Sequence, residues 1–159
     1  MSILVLGLGN LVMTDDALGS RTIQELEKRF RFPEQVVLLD GGTLGLDLLP
    51  RLEGIEKLLV VDALQMGAAP GEVFRLEGED VPRAFANKLS VHQMGLQDLL
   101  AVAELQGHLP QQLVVWGAQS GSIEMGMEMT AAVSTAMERV IIAVVEELTR
   151  WGAAPEQAA

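Results

Sequence analysis

Two aspartates and a histidine in separate polar segments are the residues of this sequence best placed to do chemistry. Asp16 follows the first apolar run and its glycine-rich turn, Asp62 follows the run LLVV, and His92 lies in the polar link NKLSVHQ. Two carboxylates that lie close together repel unless a proton or cation separates them, and an imidazole adds a ligand suited to nickel, zinc or copper. Such a set leaves coordination positions open for a substrate or water.

Each of these residues also has an ordinary structural explanation. Asp15 and Asp16 are placed to cap the first turn of a helix, where acidic side chains complement the helix dipole. An aspartate that opens a loop after a strand, as at Asp62, is common turn chemistry, and a lone loop histidine such as His92 is more often a bystander than a ligand. The other histidine, His108, falls in the turn QGHLP, where we expect a structural role at the opposite end of the sheet.

Apolar runs alternate with segments of helical periodicity along the chain. The runs predict strands at residues 3–6, 36–39, 58–61 and 113–116, with a short edge strand at 72–76 reached by a hairpin connection. Helices are predicted near residues 15–30, 44–52, 94–106 and 129–151. This order predicts a three-layer α/β/α domain, in which a mostly parallel twisted sheet of about five strands is flanked by helices on both faces. We expect one domain over residues 1–152 and a disordered tail over 153–159.

This fold class also predicts where the chemistry is located. In parallel α/β sheets, ligands bind outside the carboxyl ends of the strands. The segments that contain Asp16, Asp62 and His92 are all expected at that edge, so the three side chains are candidates for one site.

Composition excludes several classes of protein. The 159 residues have a net charge of -11 and a pI near 4.5, which disfavours nucleic-acid partners and anionic membrane surfaces. The absence of cysteine excludes disulfides and thiolate metal sites and favours a reducing compartment. The apolar N-terminus lacks the basic region of a signal peptide, and no apolar run reaches the length of a membrane span. We therefore expect a cytoplasmic protein with no membrane partner.

Two further motifs leave alternatives open. The segment GLGN at residues 7–10 partly matches a dinucleotide-binding turn, with Asp40 in the place of a ribose-binding acid, but the third glycine is missing and Asp15 and Asp16 would repel a pyrophosphate. Alternating methionines at positions 125, 127 and 129 predict either an extended flexible loop or an apolar surface for a partner.

Four motifs together resemble the motif series of the hydrogenase maturation proteases. They are GLGNLVMTDDALG at residues 7–19, LDGGTLGLDLL at 39–49, VVDAL at 60–64 and NKLSVHQMGLQDLL at 87–100. Each motif alone is a weak signal, but the set occurs in the family's order and spacing and covers nearly the whole chain.

The resemblance implies a cytoplasmic endopeptidase that removes a short C-terminal extension from the precursor of a [NiFe] hydrogenase large subunit after nickel insertion. The family's metal-contacting and catalytic positions correspond to Asp16, Asp62 and His92. Some members have glutamate at the first position, so the shorter Asp16 fits the pattern. Nickel is then expected to arrive bound to the substrate, and the enzyme needs no strong metal site of its own. We expect a monomer.

The resemblance also implies a substrate-binding segment and a hydrolytic mechanism. The DGGT motif corresponds to Asp40, Gly41, Gly42 and Thr43, with glycines that let the backbone approach the substrate. The attacking water is activated either by the metal or by a carboxylate, as in an aspartyl protease. A non-catalytic nickel-dependent checkpoint or chaperone, or a nucleotide-binding oxidoreductase, remains an alternative from the sequence.

Overall fold

A computed structural model describes residues 1–43, 46–81 and 91–158, and for residues 91–96 it describes the backbone alone. The elements in chain order are β1 Ile3–Leu8, α1 Leu18–Arg29, β2 Phe30–Arg31, β3 Val36–Gly42, α2 Leu49–Leu52, β4 Lys57–Leu64, β5 Val73–Glu77, α3 Val91–Leu105, β6 Gln112–Gln119, α4 Ala131–Arg150 and β7 Glu156–Gln157. Short 3-10 turns, Thr14–Ala17 and Leu46–Leu48, lead into α1 and α2.

Five of the strands form one twisted sheet in the order β3-β1-β4-β6-β5. The pairs β3-β1, β1-β4 and β4-β6 are parallel, and β5 is antiparallel to β6 at the edge. Every residue of β1 is buried, as expected for a strand with helices on both faces. The mostly parallel five-strand sheet that the sequence predicts is therefore confirmed.

The two faces of the sheet are covered by different helices. Alternate strand residues meet α1 and α4 on one face, in a core that includes Ile3, Val5, Ile23, Leu26, Val140 and Val144. The other alternate residues meet α2 and α3, in a core that includes Leu4, Leu6, Leu52, Leu58, Leu99 and Ala103. The three-layer α/β/α architecture is thus confirmed. None of the helices in the described ranges is long and apolar enough to cross a membrane.

Several boundaries differ from the sequence predictions. Asp62 lies inside β4 instead of following it, because pairing with β6 continues to Leu64. His92 lies in the first turn of α3 instead of in a link ahead of the helix. Apolar periodicity missed this turn because the first turn of a helix need not contribute residues to the core. The edge strand β5 pairs with β6, so the predicted hairpin connection was wrong.

The C-terminal segment folds back onto the domain where the sequence predicted a disordered tail. Ala153 is buried in the core under α1 and α4, and its amide donates to the carbonyl oxygen of Leu148 at 2.8 Å. Further along, β7 pairs antiparallel with β2. The prediction failed because the tail AAPEQAA is held mainly by backbone hydrogen bonds, which its composition does not reveal.

Candidate active site

Asp16 lies in the 3-10 turn that joins β1 to α1, and its side chain is largely buried. Its amide donates to the carbonyl oxygen of Met13 at 3.1 Å, and its carbonyl oxygen accepts from the amide of Asn10 at 3.2 Å. These two bonds tie the turn to the segment that follows β1. Asp16 is therefore held at the carboxyl edge of the sheet, as the sequence predicts.

Gly19 brings the start of α1 against the ends of two strands. A Cβ atom at Gly19 would lie 2.1 Å from the carbonyl oxygen of Leu8 in β1 and 2.2 Å from that of Val61 in β4. Only glycine permits this approach. Because Val61 precedes Asp62 and Gly19 follows closely after Asp16, both aspartates lie at the same edge, and the Asp16 turn packs against β4.

Asp62 is fully buried in β4 between the neighbouring strands β1 and β6. Its backbone is in register with Gly117 of β6. A carboxylate in this position is expensive to bury and is kept in a core position only where it is hydrogen-bonded or paired with charge. Asp16 and Asp62 are therefore two buried acids toward the carboxyl edge of the sheet.

His92 is placed at the same edge by its backbone. The C-terminal end of α3 leads through a short turn into the amino end of β6, and Leu99 and Ala103 pack the helix against the sheet. From Leu105 back to His92 the helix rises about 20 Å, which is roughly the length of the sheet. The start of α3 therefore lies toward the carboxyl edge. His108, in contrast, is exposed beside the amino end of β6, as predicted.

Asp15 has a function that the sequence did not reveal. Its buried Oδ2 accepts from the amides of Gly121 at 2.7 Å and Ser122 at 3.0 Å, and its Oδ1 accepts from the amide of Thr130 at 2.7 Å. The hydroxyl of Thr130 donates to the same carboxylate. The sequence predicted that Asp15 caps the helix that follows it. Its carboxylate instead anchors the loop between β6 and α4.

An open cleft of about 440 Å³ lies beside the Asp16 turn. Its lining consists of Gly9, Asn10, Leu11, Ser20, Asp40, Gly41, Gly42 and Thr43. The carboxylate of Asp40 is exposed and accepts from the Ser20 hydroxyl at 2.7 Å. Gly42 has a positive φ of 54°, which glycine adopts without strain, whereas Gly41 is buried against the side chain of Leu6. The four residues of the DGGT motif thus line one cleft.

The GLGN turn does not offer the free amides that a pyrophosphate needs. The amide of Gly9 donates to the carbonyl oxygen of Gly42 at 2.8 Å, and that of Asn10 donates to the carbonyl oxygen of Asp16. These bonds stabilise the turn against β3 and against the 3-10 turn that contains Asp16. The turn therefore shapes the cleft, and its glycines do not identify a dinucleotide site.

A glutamine network fixes the loop after β4. Gln119, at the end of β6, accepts from the amide of Met66 at 2.6 Å and donates to Gln65 Oε1 at 3.1 Å. Gln65 in turn donates to the Ser120 hydroxyl at 2.6 Å. No sequence motif marks this network, since its members are brought together only by the pairing of β4 with β6.

Among the side chains that the structure describes, no three His, Cys, Asp or Glu residues are grouped closely enough to hold a metal ion. The side chain of His92 lies outside that set, so the predicted metal-contacting trio stays a prediction. Two carboxylates and an imidazole are ligands that suit a borderline divalent cation such as nickel.

Buried acids beside an open cleft at the carboxyl edge of a parallel sheet are typical of an α/β enzyme. The family model described as hydrogenase maturation protease matches residues 20–147. The hydrogenase 2 maturation protease of Escherichia coli (strain K12) is 39% identical over 151 residues, covering 92% of each chain. The hydrogenase expression/formation protein HupD of Rhodobacter capsulatus is 40% identical over 152 residues, covering 94% of this chain and 72% of the relative.

Solved structures that resemble this chain are also hydrogenase maturation proteases. The hydrogenase maturating endopeptidase HybD from E. coli superposes with a TM-score of 0.95 at 37% identity, over 99% of this chain and 98% of that one. The [NiFe] hydrogenase maturation protease HybD from Thermococcus kodakarensis superposes with a TM-score of 0.77 at 27% identity, over 93% of this chain and 99% of that one.

This chain belongs to the hydrogenase maturation protease family and is a hydrolase that acts on a peptide bond in hydrogenase maturation. The resemblance found in the four sequence motifs is thereby confirmed. The non-catalytic checkpoint and the oxidoreductase are not retained as alternatives.

Proposed function

We propose that this chain removes the C-terminal extension from the precursor of a [NiFe] hydrogenase large subunit after nickel insertion, and that Asp16, Asp62 and His92 recognise the nickel bound in that substrate. The observation that carries the proposal is the burial of Asp16 and Asp62 on packed elements at one edge of the sheet. Neighbouring carboxylates repel, and a divalent cation brought by the substrate relieves the repulsion.

The substrate supplies the nickel in this proposal. Two carboxylate oxygens and one imidazole nitrogen leave coordination positions for the substrate's own ligands, so the enzyme completes a shell that is already partly formed. Recognition then depends on the metal being present. The DGGT cleft, with the exposed carboxylate of Asp40 and the polar wall of Ser20 and Thr43, is the place proposed for the polypeptide beside the nickel.

Hydrolysis needs a base near the nickel-bearing segment. In the proposed reaction, a water oxygen attacks the carbonyl carbon of the scissile peptide, and its proton passes to the carboxylate of Asp16 or Asp62. The C–N bond then breaks, and the departing amine takes up that proton. The low-dielectric surroundings of a buried acid strengthen its interaction with the substrate's charge.

Three variants test the proposed site. We expect Asp16→Asn, Asp62→Asn and His92→Ala each to lower processing of a nickel-loaded precursor by at least about 100-fold, the scale of losing a general base. Their thermal unfolding midpoints should stay within a few degrees of wild type. The matched control is His108→Ala, which alters an exposed histidine at the opposite end of the sheet and should process normally. Normal processing by any of the three variants removes that residue from the site.

A further inference from the structure

An exposed apolar surface lies on the loops that follow β1 and β6. It consists of Leu11, Val12, Ile123, Met125 and Met127, here called the methionine surface. Met125 and Met127 are 84% and 63% exposed, respectively. The two loops are joined by a parallel bridge between Met13 and Gly126, and the amide of Gly126 donates to the carbonyl oxygen of Val12 at 2.8 Å. The bridge therefore brings together the two loops that carry these five exposed side chains.

The methionine surface is held in place by the two residues before Asp16. The amide of Thr14 donates to the carbonyl oxygen of Gly126 at 2.9 Å, and the Thr14 hydroxyl donates to the carbonyl oxygen of Ser122 at 2.7 Å. The carboxylate of Asp15 accepts the amides at the start of the same loop and at Thr130. Thr14 also has a positive φ of 49°, a conformation that is strained for a β-branched residue. Strain of this kind persists at sites that bind or switch.

This geometry separates the two sequence interpretations of the alternating methionines. A flexible loop has few internal hydrogen bonds, whereas this loop is anchored at Gly121, Ser122, Gly126 and Thr130. Large apolar side chains kept exposed on an anchored loop mark an interaction site. Methionine suits such a surface because its unbranched thioether adapts to different partner side chains.

The surface lies next to the proposed site. Asp16 directly follows the two anchoring residues, and its amide bonds to the carbonyl oxygen of Met13 within the bridge. The methionine surface is therefore within reach of residues up to about five positions from a scissile bond at Asp16, since an extended chain covers about 17 Å in that length.

Charge narrows the choice of occupant. Glu124 and Glu128 are exposed in the same loop, and the sequence has no Lys or Arg between Lys88 and Arg139. The guanidinium of Arg21 donates to the carbonyl oxygen of Met127 and keeps its positive charge, but two exposed carboxylates against this one cation leave the loop net negative. An apolar segment that also contains a lysine or arginine complements this surface, and an acidic segment does not.

We propose that the methionine surface docks an apolar, lysine- or arginine-containing segment of the protein substrate within about five residues of the scissile bond. The identity of that substrate rests on the proposed function. Docking there holds the polypeptide while the nickel-bearing residues meet Asp16, so it contributes to substrate affinity rather than to bond cleavage.

Enzyme kinetics on the nickel-loaded precursor test the proposal. We expect the double variant Met125→Gln/Met127→Gln to raise KM about tenfold, which corresponds to 1.4 kcal/mol, with kcat unchanged. The pair Met125→Leu/Met127→Leu keeps the apolar contact and should stay within about twofold of wild-type KM. Ile142→Gln, at a similarly exposed apolar position on α4, is the matched control and should change nothing. An unchanged KM in the glutamine pair, or an equal rise in the Ile142→Gln control, overturns the proposal.

A binding measurement distinguishes failure of this inference from failure of the proposed function. The ¹³C-labelled methyl groups of Met125 and Met127 should shift in the NMR spectrum when the nickel-loaded precursor is added. Cleavage without such shifts contradicts docking at this surface and leaves the proposed function standing. Shifts without cleavage support docking and contradict the proposed function, and the absence of both overturns the two together.

Discussion

Asp15 and Asp16 are adjacent buried acids in the turn before α1, and their assigned tasks differ. The Asp15 carboxylate accepts three backbone amides and one hydroxyl from the loop between β6 and α4. Asp16 is proposed to meet the substrate. The first acid thereby fixes the position of the second relative to a distant loop, because a rigid first neighbour limits the movement of the whole turn.

Replacement of Asp15 by asparagine tests this anchoring. In Asp15→Asn, one carboxylate oxygen becomes an amide nitrogen that cannot accept from the buried amides of Gly121 or Thr130. We expect a loss of about 3 kcal/mol in the free energy of unfolding, measured by urea denaturation, because buried donors lose a charged acceptor.

The control for Asp15→Asn is Thr130→Val, which removes only the hydroxyl donor and keeps the backbone bonds. Its expected cost is about 1 kcal/mol. A free energy of unfolding for Asp15→Asn within about 0.5 kcal/mol of wild type would contradict the anchoring role.

The sequence predicts some of the site residues and misses others for a physical reason. Asp62 stands out because it follows an apolar run, and Asp16 because it follows the glycine-rich turn after another. The carboxyl-edge rule then places both at the same edge of the sheet. The partners of Asp15 lie 106 to 115 residues away in the sequence, so no local pattern reveals its hydrogen bonds. The Ser20 bond to Asp40 is likewise visible only after α1 has packed against β3.

The secondary-structure elements show the same division between local pattern and tertiary context. Apolar periodicity finds each core strand, but β4 and β6 extend to Leu64 and Gln119 because they pair with each other to the end. Strand ends are set by the partner strand and not by composition. This is why Asp62 was predicted to follow the strand in which it lies.

A buried glutamate joins the edge strand to the last helix. Glu147 of α4 accepts from Arg75 Nε of β5 at 2.8 Å and from Trp116 Nε1 of β6 at 3.0 Å. Arg150 lies 3.1 Å from the same carboxylate. Burial alone raises the pKa of Glu147, but the hydrogen bonds from Arg75, Trp116 and Arg150 outweigh it, and the pKa is lowered from its ordinary 4.5.

The lowered pKa gives a prediction with a definite sign. A carboxylate with a depressed folded-state pKa contributes stability that is present above pH 4.5 and is lost as the pH falls through the folded-state pKa. We expect Glu147→Gln to lower the free energy of unfolding by about 2 kcal/mol at pH 7, because Arg75 and Trp116 lose a charged acceptor. The difference in the free energy of unfolding between Glu147→Gln and wild type should become smaller below pH 4.5.

Urea denaturation at several pH values checks this prediction. Glu146→Gln is the matched control, since Glu146 is the exposed neighbour on the same helix, and its stability should follow that of wild type. A difference between Glu147→Gln and wild type that stays constant from pH 7 to about pH 3 would contradict the assigned linkage.

The whole molecule combines a predictable architecture with long-range details that the sequence does not reveal. Alternating strands and helices suffice to predict the three layers and the edge at which the site lies. The return of the C-terminal segment, with Ala153 buried and β7 paired to β2, depends on backbone contacts far apart in the chain. The anchored methionine surface likewise arises from two loops separated by more than 100 residues.

Intact-mass spectrometry of a hydrogenase large-subunit precursor, incubated with this protein in nickel-loaded and nickel-free forms, tests the proposed activity most directly. We expect the nickel-loaded form alone to lose a C-terminal peptide, because the two carboxylates and His92 need the substrate's cation for recognition. Equal cleavage of the nickel-free form would contradict recognition through nickel. No cleavage of either form by the folded enzyme would contradict the proposed substrate.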